Sequence, residues 1–200
     1  MGRGDKKTAK GKRFQGSFGK SRPVTKSTAK KAAAKKDQSI SMNDGNHMDI
    51  LMINALLNSL FTIFATMVRL EIQAGVPVLK QNNIAKGAAS GLIGMNASGT
   101  SGSVALSLTL PTIRVISGSM LGEEFTSINK DATDLVGELT NMLVGGAKRI
   151  LSEKGHDFDM HTPQLLTGDG HEIVHHHAGK TVLLPILIDQ HEFYIELNFI

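Results

Sequence analysis

The chain of 200 residues has no cysteine, no tryptophan and a single tyrosine. Without cysteine there is no disulfide framework and no thiolate metal site, which suits a reducing cytoplasm. With so few large aromatics, a packed core must come from Leu, Ile, Val, Met and Phe. A composition 40% hydrophobic and 20% charged can supply one. Long uninterrupted apolar runs are also missing. The most apolar stretch, residues 48–68, carries Asp49, Asn54 and Asn58. A bilayer span tolerates these poorly, so the stretch reads as an amphipathic or buried helix. No apolar run follows the basic N-terminus, so no secretory leader is expected. Lys6 stands where an N-myristoylation signal needs Ser or Thr. The expectation is a cytoplasmic protein with no membrane attachment.

What is present is unevenly shared. Residues 1–36 hold 13 Lys/Arg against one acid, Asp5, for a net +12, whereas residues 37–200 hold 9 Lys/Arg against 17 acids, for −8. Two such segments have different jobs. The sequence divides into a basic segment (1–36), a linker (37–47) and a folded domain (48–200), with linker-like composition beginning already at Val24. The basic segment has two aromatics, Phe14 and Phe18, and cannot bury enough apolar area to fold alone. It reads as a disordered tail whose Arg3, Lys6, Lys7, Lys10, Lys12, Arg13, Lys20 and Arg22 are candidate phosphate contacts. Composition alone fits a solvated tail as well.

The wording of that tail is more specific. "MGRGDKKTAKGKRFQGSFGKSRP", residues 1–23, includes Gly11-Lys12, Gly16-Ser17-Phe18-Gly19 and Arg22-Pro23. It resembles the small ribosomal-subunit protein THX. The resemblance implies a peptide threaded into 16S rRNA, its glycines allowing close backbone approach.

From Met48 the pattern becomes regular. A helical stripe runs over 48–70 through Ile50, Leu51, Ile53, Leu57, Leu60, Phe61, Phe64 and Met67. Strand-like runs follow at 71–80, 88–96 and 102–110. Pro111 opens a short helix to Leu121. A second long helix covers 131–153, followed by strand-like runs at 157–167, 180–188 and 192–200. The pattern is helix–β–β–β twice, which predicts an α+β fold with internal pseudo-twofold symmetry and two long helices on a mixed sheet. Sliding "ALLNSLFTIFATMV" (55–68) onto "ELTNMLVGGAKRIL" (138–151) places Asn58 on Asn141 and Ala55 on Glu138.

Glu138 and Asn141 interrupt an otherwise apolar stretch and, three residues apart, share one helix face. Gly145 follows one turn on and leaves room for a partner's backbone. A Glu-x-x-Asn pair is by itself more often plain surface chemistry than a site. Its surroundings are more telling. "SMLGEEFTSINKDATDLVGELTNMLVGGAKRILSEKGHDFDM" (119–160), "PVLKQNN", "SGLIGMNASGTSGSVALSL", "TGDGHEI" and "TVLLPILI" resemble the CheX branch of the CheC/CheX/FliY phosphatases, over the span from about Met48 to Ile200. The resemblance implies a hydrolase that removes phosphate from the aspartyl phosphate of a CheY-like response regulator. It implies Glu138 and Asn141 as the site, a homodimer, and a CheX-like single-site pattern, since Ala55 stands opposite Glu138.

The residue types suit that chemistry. An acyl phosphate is already activated, and the regulator holds its own Mg²⁺ and Lys, so a helper needs only to aim a water in line. A neutral amide, Asn141, can bond a water without bringing charge against the phosphoryl oxygens. Glu138 would pair with the regulator's Lys. The chain itself needs no cofactor, metal or nucleophile. Leu139, Met142 and Leu143 are expected in the core. The alternative is a ribosome-associated rRNA-binding protein carrying an inactive CheX-like module.

Two further motifs compete weakly. His171-Glu172-x-x-His175 matches the zinc-protease pattern, which needs a helix to bring both His to one face. Gly168, Gly170 and Gly179 bracket it and a strand follows, so a loop is expected. "GLIGMNASGTSGS" (91–103) lacks the Lys-Ser/Thr of a phosphate loop and joins strand to strand.

Overall fold

The computed structural model describes residues 47–97 and 99–199. The tail and the linker as far as residue 46, with the eight basic residues singled out above, lie outside the described residues, and the linker's last residue, His47, already belongs to the first helix. The first helix, α1 (His47–Ile63), runs on into a π-helical turn, Phe64–Val68, which ends at Arg69 in the left-handed region (φ 59°). Two short strands, β1 (Ile72–Ala74) and β2 (Val78–Leu79), lead into the hairpin β3 (Ala89–Ala97) and β4 (Thr100–Leu108). Next come α2 (Leu110–Leu121) and α3 (Lys130–Ser152). Two more short strands, β5 (Asp159–Met160) and β6 (Gln164–Thr167), precede the hairpin β7 (Thr181–Ile188) and β8 (His191–Phe199).

The duplication expected from the pattern is visible in the sheet. Its order is β1–β7–β8–β4–β3–β5, with β2 also on β7 and β6 also on β3. Exchanging the two units leaves that order unchanged. Each unit's broken first strand therefore pairs with the other unit's hairpin. The runs 71–80 and 157–167, expected as single strands, are each split in two. Pro77 and Pro163 fall in the gaps, where the missing N–H cannot join a ladder. A mixed sheet was the expectation, yet every pairing among the described strands is antiparallel. The reason is the symmetry: a pseudo-twofold normal to the sheet presents the equivalent strands β4 and β8 to each other in opposite directions.

All three helices pack on one face. The alternation of β8 sends Phe193, Ile195 and Leu197 toward them, and Phe193 stacks on Phe64 with ring centroids 5.5 Å apart. The α1–α3 contact is close because Gly146 removes a side chain at the crossing. A Cβ there would lie 2.1 Å from Ser59 Oγ, and that hydroxyl donates to the Leu143 carbonyl at 2.9 Å. Met48–Val68 is the one helical stretch among the described residues long and apolar enough to cross a membrane. Half of it is buried inside the domain, as befits a core helix.

Candidate active site

The site is built on α3. Asn129 caps the helix, its Oδ1 accepting from the Ala132 N–H at 2.8 Å, and Asp131 in the first turn complements the helix dipole. Leu135, Val136, Leu139, Leu143, Val144, Ala147 and Leu151 recur at helical spacing and are buried. Gly91 of β3 lets the helix settle on the sheet, since a Cβ there would meet Thr140 Oγ1 at 2.3 Å. The buried face thus fixes the rotation of α3, and with it the direction of the opposite face.

That opposite face carries Asp134, Glu138, Asn141, Gly145, Lys148 and Ser152. Glu138 is exposed and Asn141 half-buried, and neither side chain makes a hydrogen bond or ion pair among the described residues. An amide that served only to satisfy a buried neighbour would be bonded. This one is presented outward on a rigid helix. Met142 packs against the core beside buried Leu139 and Leu143, as expected. The corresponding face of α1 is different. Asn58 is exposed, but Ala55, which aligns with Glu138, is 1% exposed. Position 55 is inside the core, so α1 offers no second carboxylate–amide pair in either sequence or space.

The two glycines after the pair serve different ends. Gly146 is required by Ser59, as described above. At Gly145 an added Cβ would meet nothing within 4 Å. No packing constraint accounts for it, although glycine in a helix interior costs about 1 kcal/mol relative to alanine. Beside it the helix surface forms a shallow, open hollow bordered by Lys148, Arg149, Ser152 and Glu153. Arg149 is engaged with Glu153 at 2.8 Å, while Lys148 has no ion pair among the described residues.

The His171-Glu172-x-x-His175 segment is a loop, and each histidine is spent on the sheet face away from the helices. His171 Nε2 lies 2.8 Å from Ser90 Oγ, and its Nδ1 lies 2.8 Å from the Gly168 carbonyl. His175 Nδ1 lies 2.7 Å from Ser103 Oγ, and its Nε2 lies 3.2 Å from Glu196 Oε2. Glu196 also accepts from Lys80 Nζ at 2.6 Å. Sequence reasoning missed this serine–histidine–glutamate–lysine chain. It has the composition of a nucleophile relay, but Ser103 and Glu196 are sealed from solvent, and a hydroxyl that no substrate can reach is structural. Asn198 Oδ1, on the same face of β8, is buried without a partner among the described residues.

Known proteins share this fold. A CheC-like superfamily protein from Shewanella sp. PV-4 is 44% identical, with a TM-score of 0.70, over 75% of this chain and 97% of that one. The chemotaxis protein CheX from Vibrio vulnificus is 41% identical, with a TM-score of 0.69, covering 74% of this chain and 99% of that one. The chain belongs to the CheX family. The family model described as chemotaxis phosphatase CheX matches residues 89–187. The CheY-P phosphatase CheX of Thermotoga maritima is 27% identical over 153 residues, 76% of this chain and 97% of that protein. The CheX match spans β3 to β7 and so contains the whole of α3.

Proposed function

We propose that this chain hydrolyses the aspartyl phosphate of a CheY-like response regulator, with Asn141 positioning the attacking water and Glu138 docking the regulator. The observation that carries the reading is the pair itself: a carboxylate and an amide, free of internal partners, on the outward face of a helix locked by its core. The name of the Thermotoga relative supports the substrate class.

The chemistry asks little of the chain. Water attacks phosphorus, the P–O bond to the aspartyl carboxyl breaks, the carboxylate leaves, and inorganic phosphate carries away the added oxygen. Asn141 Oδ1 accepts a hydrogen bond from the water and aims its lone pair in line, an entropic contribution that does not involve charge. Glu138 meets the regulator's active-site Lys, while Mg²⁺ on the regulator neutralises the phosphoryl oxygens. Nothing here calls for a nucleophile or cofactor of the chain's own. The family resemblance supports a homodimer and a cytoplasmic setting beside the regulator. The +12 charge and THX-like wording of residues 1–36 support an rRNA-binding tether that adds to the phosphatase rather than replacing it.

The test is the decay of phosphate on a CheY-like regulator with and without the chain. Wild type should accelerate decay. Asn141→Ala should lose on the order of 10²-fold of that acceleration through lost positioning. Glu138→Ala should raise KM more than it lowers kcat. Equal activity in wild type and Asn141→Ala would sink the reading.

A further inference from the structure

Gly145 and Lys148 continue the line that Glu138 and Asn141 begin. Seven residues along an α-helix return to nearly the same direction, drifting by only about 20°. Gly145 therefore sits above Glu138, and Lys148 above Asn141. At about 1.5 Å rise per residue, Lys148 lies roughly 10 Å beyond Asn141 and about 15 Å beyond Glu138. The stripe thus carries an anion at one end, a cation at the other and a gap in the side-chain surface between them.

Three observations set this gap apart. Its glycine is not needed for internal packing, whereas its neighbour Gly146 is. The hollow beside it opens on the same face as the catalytic pair. The cation at its edge is left unpaired among the described residues, although the folded part, from residue 48 on, carries 15 acids against 9 basic residues.

We propose that Gly145 and Lys148 form a second docking point for the phosphorylated regulator, receiving a main-chain segment that bears a carboxylate. The absent side chain at 145 lets the regulator's backbone approach α3, and Lys148 pairs with the carboxylate. With Glu138 holding a cation and Lys148 an anion about 15 Å apart, the regulator can seat in one direction only. The role is specificity and orientation, and Lys148 is too far from the reacting phosphorus to act on it. This inference rests on the preceding reading that the α3 face meets the regulator.

The experiment measures dephosphorylation rate against concentration of a CheY-like regulator loaded from a small acyl phosphate. Wild type and Asn141→Ala establish the activity. Gly145→Leu should raise KM by about ten-fold or more with kcat within about two-fold, because the obstruction lies outside the reacting centre. Gly145→Ala should raise KM by roughly three-fold while its thermal midpoint holds or rises, since alanine is the better helix former. That combination separates a docking glycine from a structural one. Lys148→Glu should raise KM by about ten-fold at low salt, a gap that narrows as salt is added, while Lys148→Arg stays near wild type. Wild-type KM in both Gly145→Leu and Lys148→Glu, with wild type active and Asn141→Ala impaired, would overturn the docking point alone. A wild type that leaves the decay unchanged would overturn the phosphatase reading and this inference with it.

Discussion

Lys80 and Glu196, 116 residues apart in sequence, meet at 2.6 Å on the side of the sheet away from the helices, with side chains 4% and 0% exposed. A charged pair so deeply buried is costly to break from one side. Lys80→Met should lower unfolding free energy by about 3–5 kcal/mol, because it leaves a carboxylate buried with only His175 beside it. Adding Glu196→Gln should recover part of the loss by removing the stranded charge. Denaturant titration of the single and double variants checks this. A Lys80→Met variant of unchanged midpoint would show that the pair contributes nothing.

The crossing of α1 and α3 gives a second prediction. Gly146→Ala drives a methyl group into Ser59 Oγ, and overpacking of this kind costs about 1–3 kcal/mol. Ser59→Ala in the same chain should relieve much of it, at the loss of the hydroxyl's bond to the Leu143 carbonyl. A double-mutant cycle measures the coupling. Additive effects would mean that the helices shift apart instead.

The single tyrosine supplies an unambiguous pH probe. Burial first, then the hydrogen bond to the Glu192 carboxylate, 2.7 Å, and that group's charge together push the Tyr194 phenol up from 10.0 to about 12. The folded state thus holds the proton after the unfolded chain has lost it. This contribution to stability is intact below about pH 10 and is lost as pH rises through about 12. Tyrosinate absorbance should rise near pH 12 in the native protein. Glu192→Gln should bring the transition part of the way down, since burial, the larger cause, remains. A transition at the ordinary value would show that the phenol is neither buried nor bonded.

For the N-terminal segment, the expected result is a binding curve set by salt. The full chain should bind a 16S rRNA fragment with an affinity that falls steeply as salt rises, through counterion release. A chain beginning at Met48 should lose that binding and keep its effect on the regulator. Salt-insensitive binding, or binding retained after deletion, would remove the tether from the account.

Much of the fold was legible because local signals were strong. Pro111 marks the start of α2, and the apolar recurrence along α3 places that helix within a residue or two of its observed ends. The surroundings of Glu138 and Asn141 pointed to the family, and through it to the pair as a candidate site. Less legible was anything set by long-range pairing. Nothing local says that β1 and β2 lie on β7, or that the sheet is antiparallel throughout. The outer face of β8 reads as a solvent face in sequence, with Tyr194, Glu196 and Asn198 alternating against Phe193, Ile195 and Leu197. In space the 168–180 loop covers part of it and turns Glu196 into a buried anion. A charge on an alternating strand does not announce what will lie over it. The difference between Gly145 and Gly146 is of the same kind, since only the position of α1 distinguishes them.

The interlaced strand order has a consequence for the chain's history. Because β1 and β2 pair only with β7, and β5 and β6 only with β3, a fragment containing either half would expose a hairpin edge with its partner strands missing. The half whose helix lacks the carboxylate therefore cannot be discarded, however little chemistry it performs. Whatever its helix face does, it remains scaffolding for the other, and the two halves can change only together where their strands pair.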